Sequence, residues 1–517
     1  MSPSHPPKRP HRPLRPAMAG LHTWAGVLLG WLLYFMFVTG TAGYLDTEID
    51  RWMRPELPPA QYPLPPAPQA AHALAYLQAH APGALSWSIQ LPVDRNEPYL
   101  RVDWSPAGAA QPQAVWLDAQ TGAPFAVRDT AGGQALYQLH WRLHYLPPAL
   151  TEWLVAIASM VLLLALLTGI VAHRRFFADF FTLRLGKGQR SWLDAHNLAS
   201  VASLPFQLMI SYSGLVFVMF SFMPLIASAW YGQAPGAAVR SFYGELFPPM
   251  AAAPASGQPA PLTAIAPLLA QAQARWQGAP VAVLTVQNPG DANARISAIG
   301  NFAGGPVREA GILVFDGVSG ALLAERLARQ SAPRAARDLW LGLHEGLFAG
   351  TVLRALYLLS GLLGCVMIAT GMVLWSAKRS ARQPSVGHAL VSRLNPAAIL
   401  GLPVAIAAYL WANRLLPIGM EARAQWELHA LFATWLVSFV WAACTAPAKA
   451  WRWLAWCAAL GFGLLPVLNA ATSTRNLLQS LQTGDTVMAG MDLGFIALGL
   501  AFAAGALAMQ HRQKVRR

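Results

Sequence analysis

The chain has 517 residues, of which 55% are hydrophobic and only 12% charged, whereas soluble domains usually contain about 25% charged residues. Its net charge is +14, but the basic residues cluster in short segments beside long apolar runs, as the topology signals of membrane proteins do, so no nucleic-acid partner is expected. The three cysteines, Cys365, Cys444 and Cys457, lie in apolar runs without CxxC spacing, which argues against a disulfide framework, a zinc site or an iron–sulfur cluster.

Eight apolar segments, taken in chain order, are long enough to cross a bilayer, whose core of about 30 Å requires roughly 20 residues of helix. The first follows the basic stretch Lys8–Arg15. It is longer than the apolar part of a signal peptide and lacks a cleavage site, so we expect an uncleaved anchor. The predicted spans are 20–44, 149–173, 198–224 and 351–376, followed by four spans within 396–510, at 396–416, 425–445, 452–470 and 489–510.

Positive charge is concentrated on one side of this eight-span arrangement, and the positive-inside rule makes that side cytoplasmic. The sequence therefore predicts a multi-pass protein of the bacterial inner membrane with both termini in the cytoplasm. The predicted cytoplasmic segments are 1–19, 174–197, 377–395 and 511–517, and their basic residues are Lys8, Arg9, Arg12, Arg15, Arg174, Arg175, Arg184, Lys187, Arg190, Lys378, Arg379, Arg382, Arg393, Arg512, Lys514, Arg516 and Arg517. Two more, Lys449 and Arg452, follow the sixth span on the same side.

Segments 45–148 and 225–350 are then extracytoplasmic, and their patterns indicate small α+β domains. The first begins with a Pro-rich linker, Pro55 to Pro68, which is expected to be extended. Alternating residues and turn signals then predict further elements in the same order in both segments. They are a helix at 70–80 and strands at 99–104 and 114–118, and in the second segment a helix at 262–276 and strands at 281–286, 295–298 and 311–316.

The two halves of residues 20–376 repeat one another. His22 precedes Gly40 by eighteen residues, and His196 precedes Gly214 by the same eighteen. Since each unit consists of a span, a small domain and a span, and both units start from the cytoplasm, they are parallel repeats. We expect a four-helix bundle with a pseudo-two-fold axis and two domains above it. The other matching pairs are Asp118–Gly122 with Asp316–Gly320, Leu139-His140 with Leu343-His344, and Thr168-Gly169 with Thr370-Gly371.

These repeated motifs resemble those of the PepSY-associated transmembrane family, whose members include siderophore-reducing and iron-regulated inner-membrane proteins. The resemblance covers residues 20–380 and implies PepSY-type periplasmic domains and a di-haem core. Residues 390–517 fall outside the common pattern. The residues that carry the resemblance are Leu21-His22-Thr-Trp-Ala-Gly26, the two Thr-Gly pairs, Leu343-His344-Glu-Gly-Leu-Phe348 and the two Asp-x-x-[Thr/Ser]-Gly turns.

Six histidines at the predicted membrane edges are candidate axial ligands of haem iron. His22, His173 and His196 lie near the cytoplasmic edge, and His140, His144 and His344 lie near the periplasmic edge. Two imidazoles from two helices can hold a six-coordinate b-type haem, and the absence of CxxCH argues against covalent attachment. We therefore predict two haems, one at each edge. The repeat register pairs His140 with His344 and His22 with His196. His173 is an alternative cytoplasmic ligand, whereas His144 is the weaker periplasmic one because it aligns with Phe348.

Several of these sequence features also have a purely structural interpretation. An interfacial histidine can also be a wet, structural residue at headgroup level. The recurring glycines of spans one and four, such as Gly30, Gly40, Gly364 and Gly371, would admit either a porphyrin or a neighbouring helix. His429, close to Glu427 in the sixth span, is expected to be structural, and the tryptophans of the last four spans are explained by interfacial belts without establishing a quinone pocket.

The sequence thus predicts a membrane oxidoreductase of the ferric-siderophore or ferric-chelate reductase type, without catalytic acid–base residues. A quinol or another donor would load the inner haem, and the outer haem would reduce a ferric chelate, for which Arg142, Arg240 and Arg308 are possible contacts. Ferrous iron is released because hard oxygen ligands hold it less tightly. The alternatives are a non-haem PepSY-type permease or sensor, and an electron-supplying subunit of a larger reductase.

Overall fold

A computed structural model of the chain describes residues 14–108, 112–173, 182–184, 186–246, 253–326, 332–380 and 385–515. Eight of the basic residues used for the orientation lie outside the described residues. They are Lys8, Arg9, Arg12, Arg174, Arg175, Arg382, Arg516 and Arg517.

The first repeat begins and ends with long apolar helices on either side of a small α+β unit. Helix α1 continues through a short 3₁₀ turn, Gly43–Leu45, into α2, so that one helical run leads from the bundle to the sheet. Its elements are α1 (Leu14–Ala42), α2 (Asp46–Met53), α3 (Pro66–His80), β1 (Ala84–Gln90), β2 (Leu100–Pro106), β3 (Gln113–Leu117), α4 (Gly132–Gln138) and α5 (Pro148–Ala172).

The second repeat has a similar order, with extra helices after its first span and a fourth strand before its last two helices. These elements are α6 (Gln189–Ala202), α7 (Leu204–Phe217), α8 (Met219–Tyr231), α9 (Pro235–Leu246), α10 (Ile265–Arg275), β4 (Val281–Gln287), β5 (Arg295–Gly300), β6 (Ile312–Asp316), β7 (Leu322–Arg326), α11 (Ala332–Glu345) and α12 (Thr351–Ser380).

The predicted third span, 198–224, is not one straight helix. Helices α6 and α7 meet at Ser203 with a bend of 68°, and α7 carries a proline in its first turn. That residue, Pro205, has no N–H to donate to the preceding turn and its ring would clash with a carbonyl of α6, which accounts for the bend.

The remaining chain is helical. Helix α13 passes through one π-helical turn, Ala397–Gly401, into α14, so this span begins before the predicted start at residue 396. The helices are α13 (Val386–Pro396), α14 (Leu402–Leu415), α15 (Arg423–Cys444), α16 (Pro447–Gly463), α17 (Leu465–Thr472), α18 (Leu477–Thr483) and α19 (Thr486–Val515).

Within the described ranges, seven helical runs are long and apolar enough to cross a membrane, or eight if the bent pair of α6 and α7 forms one span. The chain is therefore a multi-pass membrane protein. The seven runs are Leu14–Met53, Pro148–Ala172, Thr351–Ala377, Val386–Leu415, Arg423–Cys444, Pro447–Thr472 and Thr486–His511.

The two soluble units, expected as separate domains, share one antiparallel sheet of seven strands in the order β3-β2-β1-β4-β5-β6-β7. Strand β1 of the first repeat pairs with its counterpart β4, and Ser88 lies opposite Thr285. Antiparallel pairing of equivalent strands places a local two-fold axis between them. Strands β1 and β7 were not predicted, because a register shift at Ala84 and Ser86 interrupts the alternation of β1 and β7 is a half-exposed edge strand.

Helices α3 and α10 cover one face of this sheet. The buried residues there include Trp87 and Val102 of the first unit and Leu284 and Phe315 of the second, all within one hydrophobic cluster. Burial of this apolar surface, worth roughly 25 cal/mol per Å², stabilises the two units as a single body.

The sheet is attached to the bundle by ion pairs centred on Glu48 of α2. Arg95, which follows β1, contacts Glu48 at 2.7 Å, and Arg354 of α12 contacts the same carboxylate at 2.8 Å. In the bundle, α1 packs against α5 and α12, α6 packs against α12, and α5 packs against α7. The spans of the two repeats therefore form one group of helices beneath the sheet.

Candidate functional site

Two histidine pairs lie at opposite ends of this group of helices. We call the end that carries the sheet the sheet side and the other end the far side. At the far side, His22 of α1 and His196 of α6 have ring centroids 6.2 Å apart, with an angle of 69° between the rings. The two residues come from the first spans of the two repeats.

Both far-side imidazoles are oriented by a backbone carbonyl of a span that ends at that side. The Nδ1 atom of His22 lies 2.8 Å from the carbonyl oxygen of Ala165 in α5, and Nδ1 of His196 lies 2.8 Å from that of Met367 in α12. A carbonyl can only accept, so Nδ1 carries the proton and donates, which leaves the lone pair on Nε2 of each ring.

Glycine makes these two contacts possible. A Cβ atom added to Gly169 would lie 3.2 Å from Cε1 of His22, and one added to Gly371 would lie 3.2 Å from Cε1 of His196. Each glycine is four residues, about one helical turn, after the carbonyl that orients the same ring. The repeated Thr-Gly pairs thus provide space for an imidazole beside the helix backbone.

The second pair lies at the sheet side. His140, in the turn after α4, and His344, near the end of α11, have ring centroids 6.3 Å apart with 21° between the rings. The chain brings together the two residues that the repeat register predicts, although neither belongs to a spanning helix.

These rings are also held through Nδ1. In His140, Nδ1 contacts the carbonyl oxygen of Tyr137, and in His344 it lies 2.8 Å from Oγ of Ser213. The Ser213 hydroxyl donates its own proton to the Met209 carbonyl at 2.7 Å, so it accepts from His344. Nε2 is again the atom with a free lone pair.

The sheet-side rings also lie against glycines of the first spans. An added Cβ on Gly40 would be 3.5 Å from Cγ of His140, and one on Gly214 would be 3.4 Å from Cε1 of His344. All four paired histidines therefore contact a glycine, and equivalent histidines contact equivalent glycines. Two other glycines of the spans serve helix packing instead, since Gly30 faces Met372 and Gly364 faces Phe37.

Sheet-side imidazoles are electrically neutral near pH 7. Burial, with a smaller contribution from neighbouring His140, lowers the pKa of His344 to about 3. Burial also lowers the pKa of His140, against the opposing effect of the Tyr137 carbonyl. Neutral imidazole is the form that binds a metal ion.

The spacing within each pair fits a metal held between two imidazoles. A metal–nitrogen bond of about 2.0–2.1 Å, extended by about 1 Å to each ring centre, separates the two centroids by roughly 6 Å. The pairs at 6.2 Å and 6.3 Å agree with that value. Within the described residues, no group of three or more His, Cys, Asp or Glu side chains could hold a metal ion; the histidines meet in pairs.

The distance between the two pairs is close to the thickness of a bilayer core. His22 and Gly40, which contacts His140, are both on α1 and eighteen residues apart, which corresponds to about 27 Å along the helix. His196 and Gly214 have the same spacing but lie on either side of the bend between α6 and α7.

His144 and His173 lie outside the two pairs. The ring of His144 contacts Tyr145 and stacks on Phe432 at 5.8 Å. Nε2 of His173, at the end of α5, lies 3.3 Å from Nδ2 of Asn197.

The three arginines that the sequence offers as contacts for an anionic chelate have different surroundings. Arg308 forms an ion pair with Glu345 at 2.7 Å and lies over the ring of Phe302, so its charge is already compensated. Arg142 and Arg240 are exposed.

One contact was missed by the sequence reasoning. The Tyr145 hydroxyl lies 2.6 Å from Nδ1 of His429 in α15, which brings a residue of the last four spans to the turn after His140. The sequence contained only a weak signal, namely a histidine in an apolar span.

The profile of the PepSY-associated TM region matches residues 19–378, which include both histidine pairs and the whole sheet. An uncharacterized protein of Pseudomonas aeruginosa is 29% identical over 283 residues, which cover 51% of this chain and 68% of the relative. The repeated units and the helical spans are consistent with this match. The chain therefore belongs to the family of proteins with a PepSY-associated TM region.

Proposed function

We propose that this protein is a transmembrane electron-transfer protein with two b-type haems, which reduces a ferric siderophore or another ferric chelate at the sheet side. In this proposal His140 and His344 hold one haem and His22 and His196 hold the other. The observation that carries the proposal is the pairing of four imidazoles from different elements, at about 6 Å between ring centroids, at both ends of one bundle.

Bound haem would supply one-electron chemistry without an open coordination position. The residues of the chain orient the ligands. The carbonyls of Ala165 and Met367 and the hydroxyl of Ser213 accept hydrogen bonds from Nδ1–H of His22, His196 and His344, respectively. These bonds fix the tautomer of each ring and leave the lone pair on Nε2. Such second-layer hydrogen bonds also raise the basicity of a ligating imidazole.

In this proposal the sheet side is periplasmic and the far side cytoplasmic. The basic segments predicted from the sequence favour that orientation, and with it an inner-membrane location with both termini in the cytoplasm. Electrons from a cytoplasmic reductant would then cross the bilayer to a ferric substrate beneath the sheet, whereas a membrane reductant bound at the sheet side would deliver them there directly. In either case the protein would act as a membrane oxidoreductase.

A visible spectrum of protein purified in mild detergent tests the proposal. We expect a reduced-minus-oxidised spectrum of b-type haem, with about two haems per chain by pyridine haemochrome assay. The variants His140→Ala and His344→Ala should each lose about one haem per chain and retain the other, because each pair binds independently. His80→Ala, at an exposed histidine of α3, is the matched control and should keep both haems.

A colourless wild-type protein would contradict the proposal and favour a non-haem PepSY-type permease or sensor. If the wild type contains haem, stopped-flow oxidation of the reduced protein by a ferric siderophore should regenerate the oxidised spectrum. Lack of any reaction with ferric chelates, despite bound haem, would instead favour an electron-supplying subunit of a larger reductase.

A further inference from the structure

A cavity of about 330 Å³ lies between α1, the turn that follows His140 and helix α15. Neither histidine pair lines it. Its walls include Trp31 and Phe35 of α1, His144 and Tyr145 of the turn, and Phe432 and Trp435 of α15. It therefore joins the first repeat to the last four spans, whose role the repeat does not explain.

The walls of the cavity include two pairs of stacked aromatic rings. Phe35 and Trp435 stack at 5.2 Å with 12° between their planes, and His144 and Phe432 stack at 5.8 Å with 9° between theirs. The indole N–H of Trp435 donates to the Ala397 carbonyl at 3.1 Å. Since that donor is already used, Trp435 presents its ring to the cavity.

Polar groups occur at one end of the cavity. The Tyr145 hydroxyl and Nδ1 of His429 are 2.6 Å apart, and the two rings stack at 5.9 Å. Tyr145 also contacts the ring of His144. Phenol and imidazole can each donate or accept a hydrogen bond, so this end suits a ligand that changes between hydroxyl and carbonyl oxygen.

The cavity extends from this polar end into the apolar part of the membrane. Phe439 lines the cavity, whereas His429 contacts the lining residue Tyr145. The two residues are ten positions apart on α15, which corresponds to about 15 Å along the helix. A ligand with a flat polar ring at the outer end and a hydrocarbon chain at the inner end would match this change from polar to apolar lining.

We infer that this cavity binds a membrane quinol, with its ring beside the contacting side chains of His144 and Tyr145 and the first units of its isoprenoid chain along Trp31 and Phe439. The volume falls at the lower end of small-molecule sites, which are about 300–1,000 Å³, and is sufficient for a ring with a short length of chain. The inference deepens the proposed function, on which it rests for the destination of the electrons.

Oxidation of the quinol at this position balances as a two-electron reaction. Both O–H bonds of the hydroquinone break, two protons leave through the Tyr145–His429 pair to water at the membrane edge, and two electrons reduce two ferric ions one after the other. The product is the quinone. His144 is four residues from His140, so their Cα atoms are at most about 14 Å apart, a separation over which electrons tunnel directly in proteins.

Photolabelling with an azido-ubiquinone in detergent-solubilised full-length protein tests the site. We expect the label on peptides that contain residues 143–146 and on the α15 peptide around Phe432, and we expect excess unlabelled ubiquinone to abolish it. Loss of one hydrogen bond in Tyr145→Phe or His429→Leu should weaken labelling affinity by about fivefold. Tyr212→Phe, at an exposed tyrosine of α7, is the matched control and should label like the wild type.

Labelling elsewhere, or labelling of these peptides that excess ubiquinone does not reduce, would overturn the inference, because a cavity filled by lipid or detergent chains gives that result. Haem content measured on the same sample reports separately on the proposed function. If the protein contains haem but excess ubiquinone does not abolish the label on these peptides, only the quinol site is refuted. If ubiquinone abolishes the label but the protein contains no haem, the electron-transfer proposal is refuted and the quinone site is retained.

Discussion

The glycines that contact the paired histidines set the position of each imidazole ring. At Gly371 a side chain would meet His196, and at Gly169 it would meet His22, because the added Cβ atom already lies 3.2 Å from the ring in each case. A larger side chain must displace the ring from the carbonyl that orients it. The glycines are therefore specific to the site rather than to helix packing in general.

We predict that Gly371→Leu removes the haem of the far-side pair and keeps the one at the sheet side. The haem content should fall from about two to about one per chain, while the helix is retained because leucine favours helix over glycine by roughly 0.8 kcal/mol. Pyridine haemochrome assay of purified protein measures this.

Gly26→Leu is the matched control for this variant. Gly26 lies on α1, and no atom comes within 4 Å of its added Cβ, so both haems should remain. If Gly371→Leu retained the same haem content as Gly26→Leu, the assignment of the far-side pair as a haem site would be wrong.

Helix α15 is held to the first repeat by the buried carboxylate of Glu427. This carboxylate accepts hydrogen bonds from the Thr130 hydroxyl at 2.6 Å and from the Ala131 amide at 3.0 Å, both in the segment before α4. It also pairs with Arg423, and both side chains are fully buried. The polar residues that the sequence marked in the sixth span thus attach the last four spans to the first soluble unit.

Other helices of the last four spans contribute similar contacts. Arg51 of α2 pairs with Asp485 at 2.8 Å, and the Trp52 indole donates to Asp492 of α19 at 2.9 Å. Arg414 of α14 lies 3.9 Å above the ring of Trp52. The helical module after residue 386 is therefore anchored to the α1–α2 run by charges that are paired inside the protein.

We predict that Glu427→Met destabilises the protein strongly, because it leaves Arg423 charged and unpaired in a buried position. Breaking a buried pair in this way costs about 3–5 kcal/mol, which corresponds to a decrease in Tm of roughly 3–5 °C for a protein of this size. Thermal unfolding in detergent, followed by tryptophan fluorescence, measures the change.

Two further variants make this measurement decisive. Glu421→Met, at an exposed glutamate before α15, should leave Tm nearly unchanged. The double variant Arg423→Met with Glu427→Met should recover a large part of the lost stability, since no charge remains unpaired. A double variant less stable than Glu427→Met would show that the carboxylate does not act mainly through Arg423.

At the scale of the whole molecule, one sheet covers both repeats. Its centre is the pair of equivalent strands β1 and β4. The hydrogen bonds from Leu91 N to Ala282 O and from Asn288 N to Leu85 O show that odd-numbered residues of β1 are hydrogen-bonded partners in the ladder. Ser88 and Thr285 are then a non-hydrogen-bonded pair, with Cα atoms about 4.5 Å apart.

We predict that cysteines at Ser88 and Thr285 form a disulfide on mild oxidation, because a Cα separation of about 4.4–6.8 Å suits one. Mass spectrometry of non-reduced peptides detects the linked product. The control combines cysteines at Ser88 and Ser297 of β5, which lie two strand spacings, roughly 9–10 Å, apart and exceed the limit. Equal cross-linking of both pairs would contradict the common sheet.

The sequence by itself determined the features that depend on local pattern or on repetition. Hydropathy over about 20 residues marks the spans, because a bilayer requires an unbroken apolar length. The repeat placed His140 beside His344 and His22 beside His196, since equivalent residues of parallel repeats lie around a common axis. The alternation of residues also located the strands at 99–104 and 281–286 to within a few positions.

Only the tertiary structure decided how separate segments meet. The pairing of β1 with β4 joins two units whose sequences each describe a complete small domain, and the pairing depends on an edge that no local pattern reveals. In the same way, Glu427 meets Thr130 and His429 meets Tyr145 across almost 300 residues of chain. Such contacts come from the packing of whole helices, which residue periodicity does not specify.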